Sequence, residues 1–188
     1  MNCKRKLLAL GSLLALMFFL GSVAAATDVE PKVGQQVTFK FGKPVSDEDA
    51  KYLGLEKAQE FTVKDVKAPY LLVEQFSTTC PYCNSQAGLI NTIFNRVQQD
   101  PGLKDKVKFA AEMQGDAPDK VKAWRDQHKI IFPLIPDPES TLGDALNFHP
   151  YPVTFVLDKA GKIVYLLVGA MQNSDVDEVI SWLKDTLK

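Results

Sequence analysis

The chain has 188 residues, of which 46% are hydrophobic and 24% are charged, and its formal net charge at pH 7 is −1. This length suits one globular domain with a core of its own and is short for two, and the composition is that of an ordinary globular protein. A nearly neutral chain without a basic run is a poor candidate for binding nucleic acid.

The first 26 residues have the layout of a secretory signal peptide. Three basic residues at 4–6 precede an uncharged apolar run over 7–20, and small residues follow as far as Ala26. Cleavage after Ala26 would remove three positive charges and leave a net charge of −4. The stretch 7–26 is also long enough to span a bilayer if it is not cut, so an uncleaved membrane anchor stays open. In both cases the rest of the chain is predicted to be exported, to a bacterial periplasm or otherwise outside the cytoplasm.

Residues 27–68 are predicted to form an N-terminal extension, with a short strand over Val37–Phe41 and a helix that starts at Ser46. From Pro69 onward the hydrophobic pattern predicts strands alternating with helices. The apolar run Tyr70–Phe76 suits a strand that is covered on both faces. The later predicted elements are a helix over Ala87–Val97, a strand over Val107–Met113, a helix over Asp119–His128, a link that begins at Phe132, a helix over Thr141–Leu146, strands over Val153–Leu157 and Ile163–Val168, and a last helix opened by Ser174. This order predicts an α/β protein with helices on both sides of its sheet.

Two cysteines, Cys80 and Cys83, remain once Cys3 is removed with the leader. Cys80 would cap the helix that follows the first long strand, with Pro81 at the first helical position and Cys83 one turn in. Unpaired N–H groups and the positive end of the helix dipole stabilise a thiolate there, and such thiols have pKa values lowered from about 8.5 to roughly 3.5–7.5. The motif therefore predicts thiol–disulfide exchange, in which Cys80 attacks and Cys83 resolves the mixed disulfide.

Other uses of this pair stay open. A structural disulfide would close a loop of only four residues and gain little stability, and a structural zinc site needs about four ligands, which two scattered histidines do not complete. A thioredoxin-like binding module without redox activity is a third possibility. Copper(I) handling by Cys80, Cys83 and His149 is the main rival, because these soft ligands suit that ion. Without copper, His149 is either a loop histidine or a cation that stabilises the Cys80 thiolate.

Glu74 lies six residues before Cys80, in an apolar strand. By alternation it shares a face with Leu72 and Phe76, where an ionised carboxylate is costly unless it is hydrogen-bonded or shifts its pKa. We expect Glu74 to lie beneath the dithiol and to accept the proton of Cys83 when that thiol attacks. The alternative is a glutamate at the strand end that reaches water.

Together these segments resemble a thioredoxin fold, and most closely the exported TlpA/ResA-type thiol–disulfide oxidoreductases. The resemblance rests on the strand Leu71–Phe76, the C-P-Y-C motif with its helix, and Y-P-V-T-F at 151–155 followed by the turn at 158–161. It implies a thioredoxin-like domain over 69–188, with a central mixed β-sheet and helices on both faces. It also implies protein thiols or disulfides as substrates, a separate redox partner protein, and no cofactor or resident metal.

The resemblance further assigns the substrate-binding residues. It implies that Pro152 is a cis-proline beside the dithiol and that Tyr151 offers its backbone to the substrate. Pro150 is the competing proline in H-P-Y-P, but V-T-F directly after Pro152 fits the family pattern better. Pro81 and Tyr82, between the cysteines, complete the predicted substrate-binding set.

Three departures from the family bear on the direction of electron flow. Thr79 stands where many TlpA-type proteins have tryptophan, the flank E-Q-F-S-T-T-C is similar to that of the oxidant DsbA, and C-P-Y-C is the tetrad of glutaredoxins. Yet only 68 residues separate Cys83 from Pro152, too few for the helical insertion of DsbA. The scaffold thus favours a reductant of the TlpA/ResA type, whereas the flank is that of an oxidant.

Overall fold

A five-stranded sheet with helices on both faces forms the framework of the computed structural model, which describes residues 28–187. The elements in chain order are α1 (Asp47–Leu53), β1 (Tyr70–Phe76), α2 (Pro81–Gln99), β2 (Val107–Gln114), α3 (Pro118–His128), β3 (Leu134–Asp137), α4 (Thr141–Leu146), β4 (Val153–Asp158), β5 (Ile163–Val168) and α5 (Asn173–Thr186). The predicted leader or anchor, residues 1–26, lies outside the described residues. Within residues 28–187, no helix has both the length and the apolar character that crossing a membrane requires.

The strands lie in the order β3-β2-β1-β4-β5. β1, β2 and β3 run parallel, whereas β4 is antiparallel to both β1 and β5. β1 is central, which explains why its sequence is apolar almost throughout: neighbouring strands cover its edges and helices cover both of its faces. This mixed sheet confirms the predicted α/β class and thioredoxin fold.

The sheet separates two apolar clusters. Side chains of α2, α3 and α5 pack against one face, where Leu72 and Phe76 of β1 point. The N-terminal segment, α1 and α4 pack against the other face, where Leu71 and Val73 point. Alternation along β1 therefore sends Glu74 to the α2 face and Gln75 to the opposite one.

The segment before β1 contributes directly to the second cluster, although part of its predicted structure is wrong. Val37–Phe41 does not form a strand; the segment makes only isolated bridges, from Gln36 to Lys162 and from Phe41 to Phe61. Phe41 and Phe61 are buried and stack at a centroid distance of 4.9 Å. The alternation of apolar residues thus reflects burial against the sheet without a hydrogen-bonded ladder. The division of the chain at residue 69 stays a prediction.

Two further elements differ from expectation. The link predicted at Phe132 contains β3, a four-residue edge strand that includes Pro136, and proline is tolerated at such edges. The last helix begins one residue before Ser174, and its cap is Gln172, whose backbone carbonyl accepts a hydrogen bond from the N–H of Asp175 at 3.1 Å. The Asp175 carboxylate in turn accepts from the Gln172 N–H at 2.6 Å, which completes a capping box.

Candidate active site

The two cysteines lie at the start of α2, as the sequence predicts. Cys80 is the N-cap residue, Pro81 occupies the first turn, and the N–H of Cys83 donates a hydrogen bond to the Cys80 sulfur at 3.0 Å. The cysteines form a disulfide, with a Cα–Cα distance of 5.2 Å. Cys83 is fully buried and Cys80 is 5% exposed, so Cys80 is the sulfur that an incoming protein reaches first. Tyr82 between them is 67% exposed.

A buried aspartate fixes the loop that leads into the motif. The Asp116 carboxylate accepts hydrogen bonds from the N–H of Thr78 at 2.6 Å, the hydroxyl of Thr78 at 2.7 Å and the hydroxyl of Ser77 at 3.3 Å. Sequence reasoning missed Asp116. The signal was its place two residues after β2, because the carboxyl ends of the parallel neighbours β1 and β2 meet at one edge of the sheet.

Glu74 lies in the interior, on the sheet face that α2 covers. It is 1% exposed, which rules out the alternative of a glutamate that reaches water. One carboxyl oxygen accepts from the Thr154 hydroxyl at 3.0 Å and from the Gln86 amide at 3.4 Å, and the other has no hydrogen-bond partner among the described residues. Burial raises the pKa of Glu74 well above its ordinary value, and the Thr154 hydrogen bond opposes this only in part. Burial therefore favours the protonated, neutral form of this carboxyl.

Gln86, a second residue that sequence reasoning missed, connects Glu74 to the loop between β5 and α5. Its amide donates to Glu74, and its carbonyl oxygen accepts from the N–H of Met171 at 2.8 Å. Beside this connection lies a surface cavity of about 330 Å³. It is lined by Tyr82, Ser85, Leu89, Ala170, Met171, Gln172 and Asn173. The cavity thus adjoins Tyr82, one of the two residues between the cysteines.

Tyr151 and Pro152 lie at the same end of the sheet as the dithiol. β4 is antiparallel to β1 and pairs Val153 with Gln75, so the start of β4 meets the end of β1, which leads to Cys80. The Tyr151–Pro152 peptide bond is cis. Pro152 is buried and Tyr151 is 37% exposed, which leaves the tyrosine accessible to another protein.

His149 faces two aspartates rather than the dithiol. Its Nδ1 lies 3.0 Å from Asp28 and its Nε2 lies 2.9 Å from Asp144, and these hydrogen bonds raise the pKa of the imidazole. Both ring nitrogens are thus engaged, and residues 28–187 contain no group of three histidine, cysteine or acidic side chains able to hold a metal ion. The structure gives the copper(I) alternative no support.

Comparisons with known proteins agree with this architecture. Residues 41–166 match the model of the AhpC/TSA family. The thiol–disulfide oxidoreductase ResA of Geobacillus kaustophilus is 22% identical over 128 residues, which are 68% of this chain and 71% of that protein. The thioredoxin-like protein YneN of Bacillus subtilis is 25% identical over 144 residues, 77% of this chain and 81% of its own length.

Solved structures show the same fold. StoA from Bacillus subtilis has a TM-score of 0.57 at 16% identity, covering 77% of this chain and 98% of its own. A putative thiol:disulfide interchange protein DsbE from Chlorobium tepidum has a TM-score of 0.64 at 14% identity, covering 85% of this chain and all of its own. The family match spans more than half of the chain, and the sheet, the dithiol and these relatives agree with it. The chain therefore belongs to the AhpC/TSA family and has a thioredoxin fold of the TlpA/ResA type.

Proposed function

We propose that the protein exchanges disulfides with other proteins outside the cytoplasm, using Cys80 as the attacking thiol and Cys83 as the resolving thiol. One observation carries the proposal: Cys80 caps α2 and receives the N–H of Cys83 at 3.0 Å, while Cys83 is fully buried. The helix terminus stabilises a thiolate at the sulfur that a substrate can reach. The relatives named as thiol–disulfide oxidoreductases support the same reaction.

The reaction has two steps when the dithiol acts as the reductant. The Cys80 thiolate attacks a substrate disulfide, forms a mixed disulfide and releases one substrate thiolate. Cys83 then loses its proton and attacks the Cys80 sulfur, which closes the Cys80–Cys83 disulfide and releases the second substrate thiolate. Two electrons pass from the dithiol to the substrate.

Glu74 serves as the proton acceptor for Cys83 in the second step. Only the ionised carboxylate can take a proton, and burial raises the pKa of Glu74 toward that of a thiol. The fraction of ionised Glu74, and with it the rate of resolution, therefore rises with pH. In the reverse reaction the neutral carboxyl returns the proton to Cys83.

A substrate segment would dock beside the dithiol, against the backbone of Tyr151 and Pro152, in the manner of an added strand. Pro81 and the exposed ring of Tyr82 supply the other wall of this surface. The cavity between Tyr82 and Met171 offers room for a substrate side chain.

We propose the reducing direction because little besides the helix terminus stabilises the Cys80 thiolate. α2 carries no charged side chain before Arg96, burial favours the neutral form of Glu74, and the Asp116 carboxylate bonds the two residues that precede Thr79. A weakly stabilised thiolate makes a dithiol more reducing. A reduction potential near −270 mV, the value of thioredoxin, is expected, and a value near −120 mV, that of DsbA, would contradict this direction.

We infer that residues 1–26 direct export, either as a cleaved leader or as an anchor through 7–26. The mass of the protein isolated from a bacterial host decides between them: a chain that starts at Thr27 indicates cleavage. A full-length chain found in the membrane fraction indicates an anchor, and a full-length chain that stays in the cytoplasm contradicts export.

Trapping tests the exchange itself. Cys83→Ser should accumulate mixed disulfides between Cys80 and partner proteins, because the resolving thiol is gone, whereas the matched Cys80→Ser variant should accumulate none. Non-reducing electrophoresis followed by mass spectrometry identifies the partners. If the Cys80 thiol of Cys83→Ser reacts with iodoacetamide but captures no protein, the proposed function is wrong.

A further inference from the structure

Three buried polar side chains lie on the sheet face opposite the dithiol, where the proposed mechanism does not use them. Gln75 of β1 and Glu112 of β2 are in register, and Gln114 follows two residues along β2 on the same face. All three are at most 6% exposed. Buried polar groups are costly unless they are hydrogen-bonded, so this cluster needs an explanation.

Two of the three, Gln75 and Gln114, bind a single short segment. The Gln75 amide nitrogen donates one N–H to the Gln114 side-chain oxygen at 2.8 Å. Its second N–H is shared among the backbone carbonyls of Phe148 at 3.1 Å, Pro150 at 3.3 Å and His149 at 3.5 Å. The Gln114 amide nitrogen donates to the carbonyl of His149 at 2.8 Å. Two linked amides therefore bind three consecutive carbonyls, those of residues 148–150.

These carbonyls have no other backbone partner. Residues 148–150 belong to no helix or strand, and no backbone N–H of residues 28–187 donates to them. The two glutamines therefore help to fix where this segment lies, together with Asp28 and Asp144, which bond the N–H and the ring of His149. The segment is followed directly by Tyr151 and Pro152.

The helix next to the pair is shaped to admit it. Gly143 lies inside α4, and a Cβ there would be 2.7 Å from the side-chain oxygen of Gln114 and 2.8 Å from Cδ2 of the His149 ring. Glycine is a poor helix residue, but any larger residue at this position would push against both the Gln114 amide and the His149 ring. The close approach of α4 therefore belongs to the same arrangement.

We propose that Gln75 and Gln114 are positioning residues that hold residues 148–150, and through them the Tyr151 backbone, in the conformation that receives substrate. This inference rests on the proposed function, since it concerns the docking surface of the same site. Without the two amides the segment would occupy other conformations, and the apparent affinity for a protein substrate would fall with the competent fraction. The chemistry at Cys80 and Cys83 lies on the other face of the sheet and would be unchanged.

Near-isosteric substitution separates docking from chemistry. Gln75→Met and Gln114→Met keep the side-chain volume but remove the amide donors. Gln98→Met is the matched control, because the Gln98 amide donates to the Tyr52 hydroxyl, away from the site. Each reduced variant is reacted in single turnover with a glutathionylated decapeptide over a range of concentrations, and each oxidised variant with dithiothreitol. The first reaction gives a half-saturation concentration and a maximal rate, and the second reports the dithiol alone.

We expect the half-saturation concentration of Gln75→Met and Gln114→Met to rise about tenfold, the size of one to two lost hydrogen bonds. The maximal rate, the rate with dithiothreitol and all constants of Gln98→Met should stay within about twofold of the wild type. An unchanged half-saturation concentration, or an equal loss in both reactions, would overturn the inference. If the wild type itself fails to react with the peptide, the proposed function fails instead.

Two further variants keep the test valid if the methionine variants do not fold. Gly143→Ala crowds both Gln114 and His149 without removing a donor and should also raise the half-saturation concentration. Gln75→Glu can donate only when its carboxyl is protonated, so its half-saturation concentration relative to the wild type should rise as pH rises. A pH-independent ratio together with a normal Gly143→Ala variant would contradict the positioning role.

Discussion

Replacing Glu74 by glutamine should remove a large part of the pH dependence of the protein's stability. Burial raises the folded-state pKa of Glu74 well above its ordinary value, whereas in the unfolded chain the carboxyl titrates near the ordinary 4.3. Between these two values the folded protein holds a proton that the unfolded chain has released. The free energy of unfolding therefore decreases as pH rises through this window, and the stability contributed by the bound proton is fully present only below the unfolded pKa.

The burial of Glu74 indicates a large effect. One proton of difference changes the free energy of unfolding by about 1.36 kcal/mol per pH unit. The wild type should lose stability at up to this rate between the unfolded-state and folded-state pKa values of Glu74. Glutamine has the same shape and can still accept the Thr154 hydroxyl, but it does not titrate. Glu74→Gln should therefore match the wild type only below the unfolded-state pKa, and its stability relative to the wild type should rise with pH above it, by up to about 1.36 kcal/mol per pH unit.

Urea unfolding at pH 5, 6 and 7 measures this difference. The oxidised protein is used, so that neither thiol titrates. His149→Gln serves as a control, because the pKa of His149 is also raised but its side chain lies at the surface. Parallel stability profiles for Glu74→Gln and the wild type would show that Glu74 is ionised in the folded protein. Glu74 would then lack the raised pKa on which its proposed proton exchange with Cys83 rests.

Three other substitutions test separate parts of the structure. Glu112→Gln should also make the free energy of unfolding less dependent on pH, by up to about 1.36 kcal/mol per pH unit, because burial, and then the charge of Asp137, raise the pKa of Glu112. If the pH profile from urea unfolding runs parallel to that of the wild type, the pKa of Glu112 is not raised. Asp116→Asn removes a negative charge next to the motif and should raise the reduction potential of the dithiol by roughly 10–30 mV. Equilibration with glutathione measures this potential, and a lower potential than that of the wild type would contradict the prediction. Phe41→Ala should lower the free energy of unfolding by about 3–5 kcal/mol, because Phe41 is buried against Phe61; a loss below about 1 kcal/mol in urea would mean that the N-terminal segment is not part of the core.

Sequence reasoning located the dithiol site well because its signals are local. The apolar run Tyr70–Phe76 has the bounds of β1, and proline after Cys80 indicated where α2 begins. Alternation along β1 also placed Glu74 on the face that α2 covers. Each of these inferences needs only a few neighbouring residues and the geometry of one element.

The residues that were missed depend on contacts between distant parts of the chain. Asp116 bonds residues 38 and 39 positions earlier, and Gln75 meets Gln114 across 39 positions. Such contacts follow from strand order, which periodicity does not give. Of the two alternatives for His149, the one that placed it beside the dithiol is wrong for a related reason. It lies three residues from Pro152 in the chain, but its ring points to Asp28 and Asp144.

The adjacent residues Glu74 and Gln75 show how one strand can serve two parts of the reaction. Because side chains alternate across a sheet, the carboxyl enters the cluster that contains Cys80 and Cys83, while the amide enters the opposite cluster beneath residues 148–150. The end of β1 lies beside the start of β4, so the dithiol and the backbone of Tyr151 and Pro152 lie at the same end of the sheet. A one-residue shift of β1 would exchange the two side chains and disrupt both the proposed proton transfer and the proposed docking. The register of β1 with β2 and β4 therefore determines the positions of both the proposed proton acceptor and the proposed substrate-binding surface.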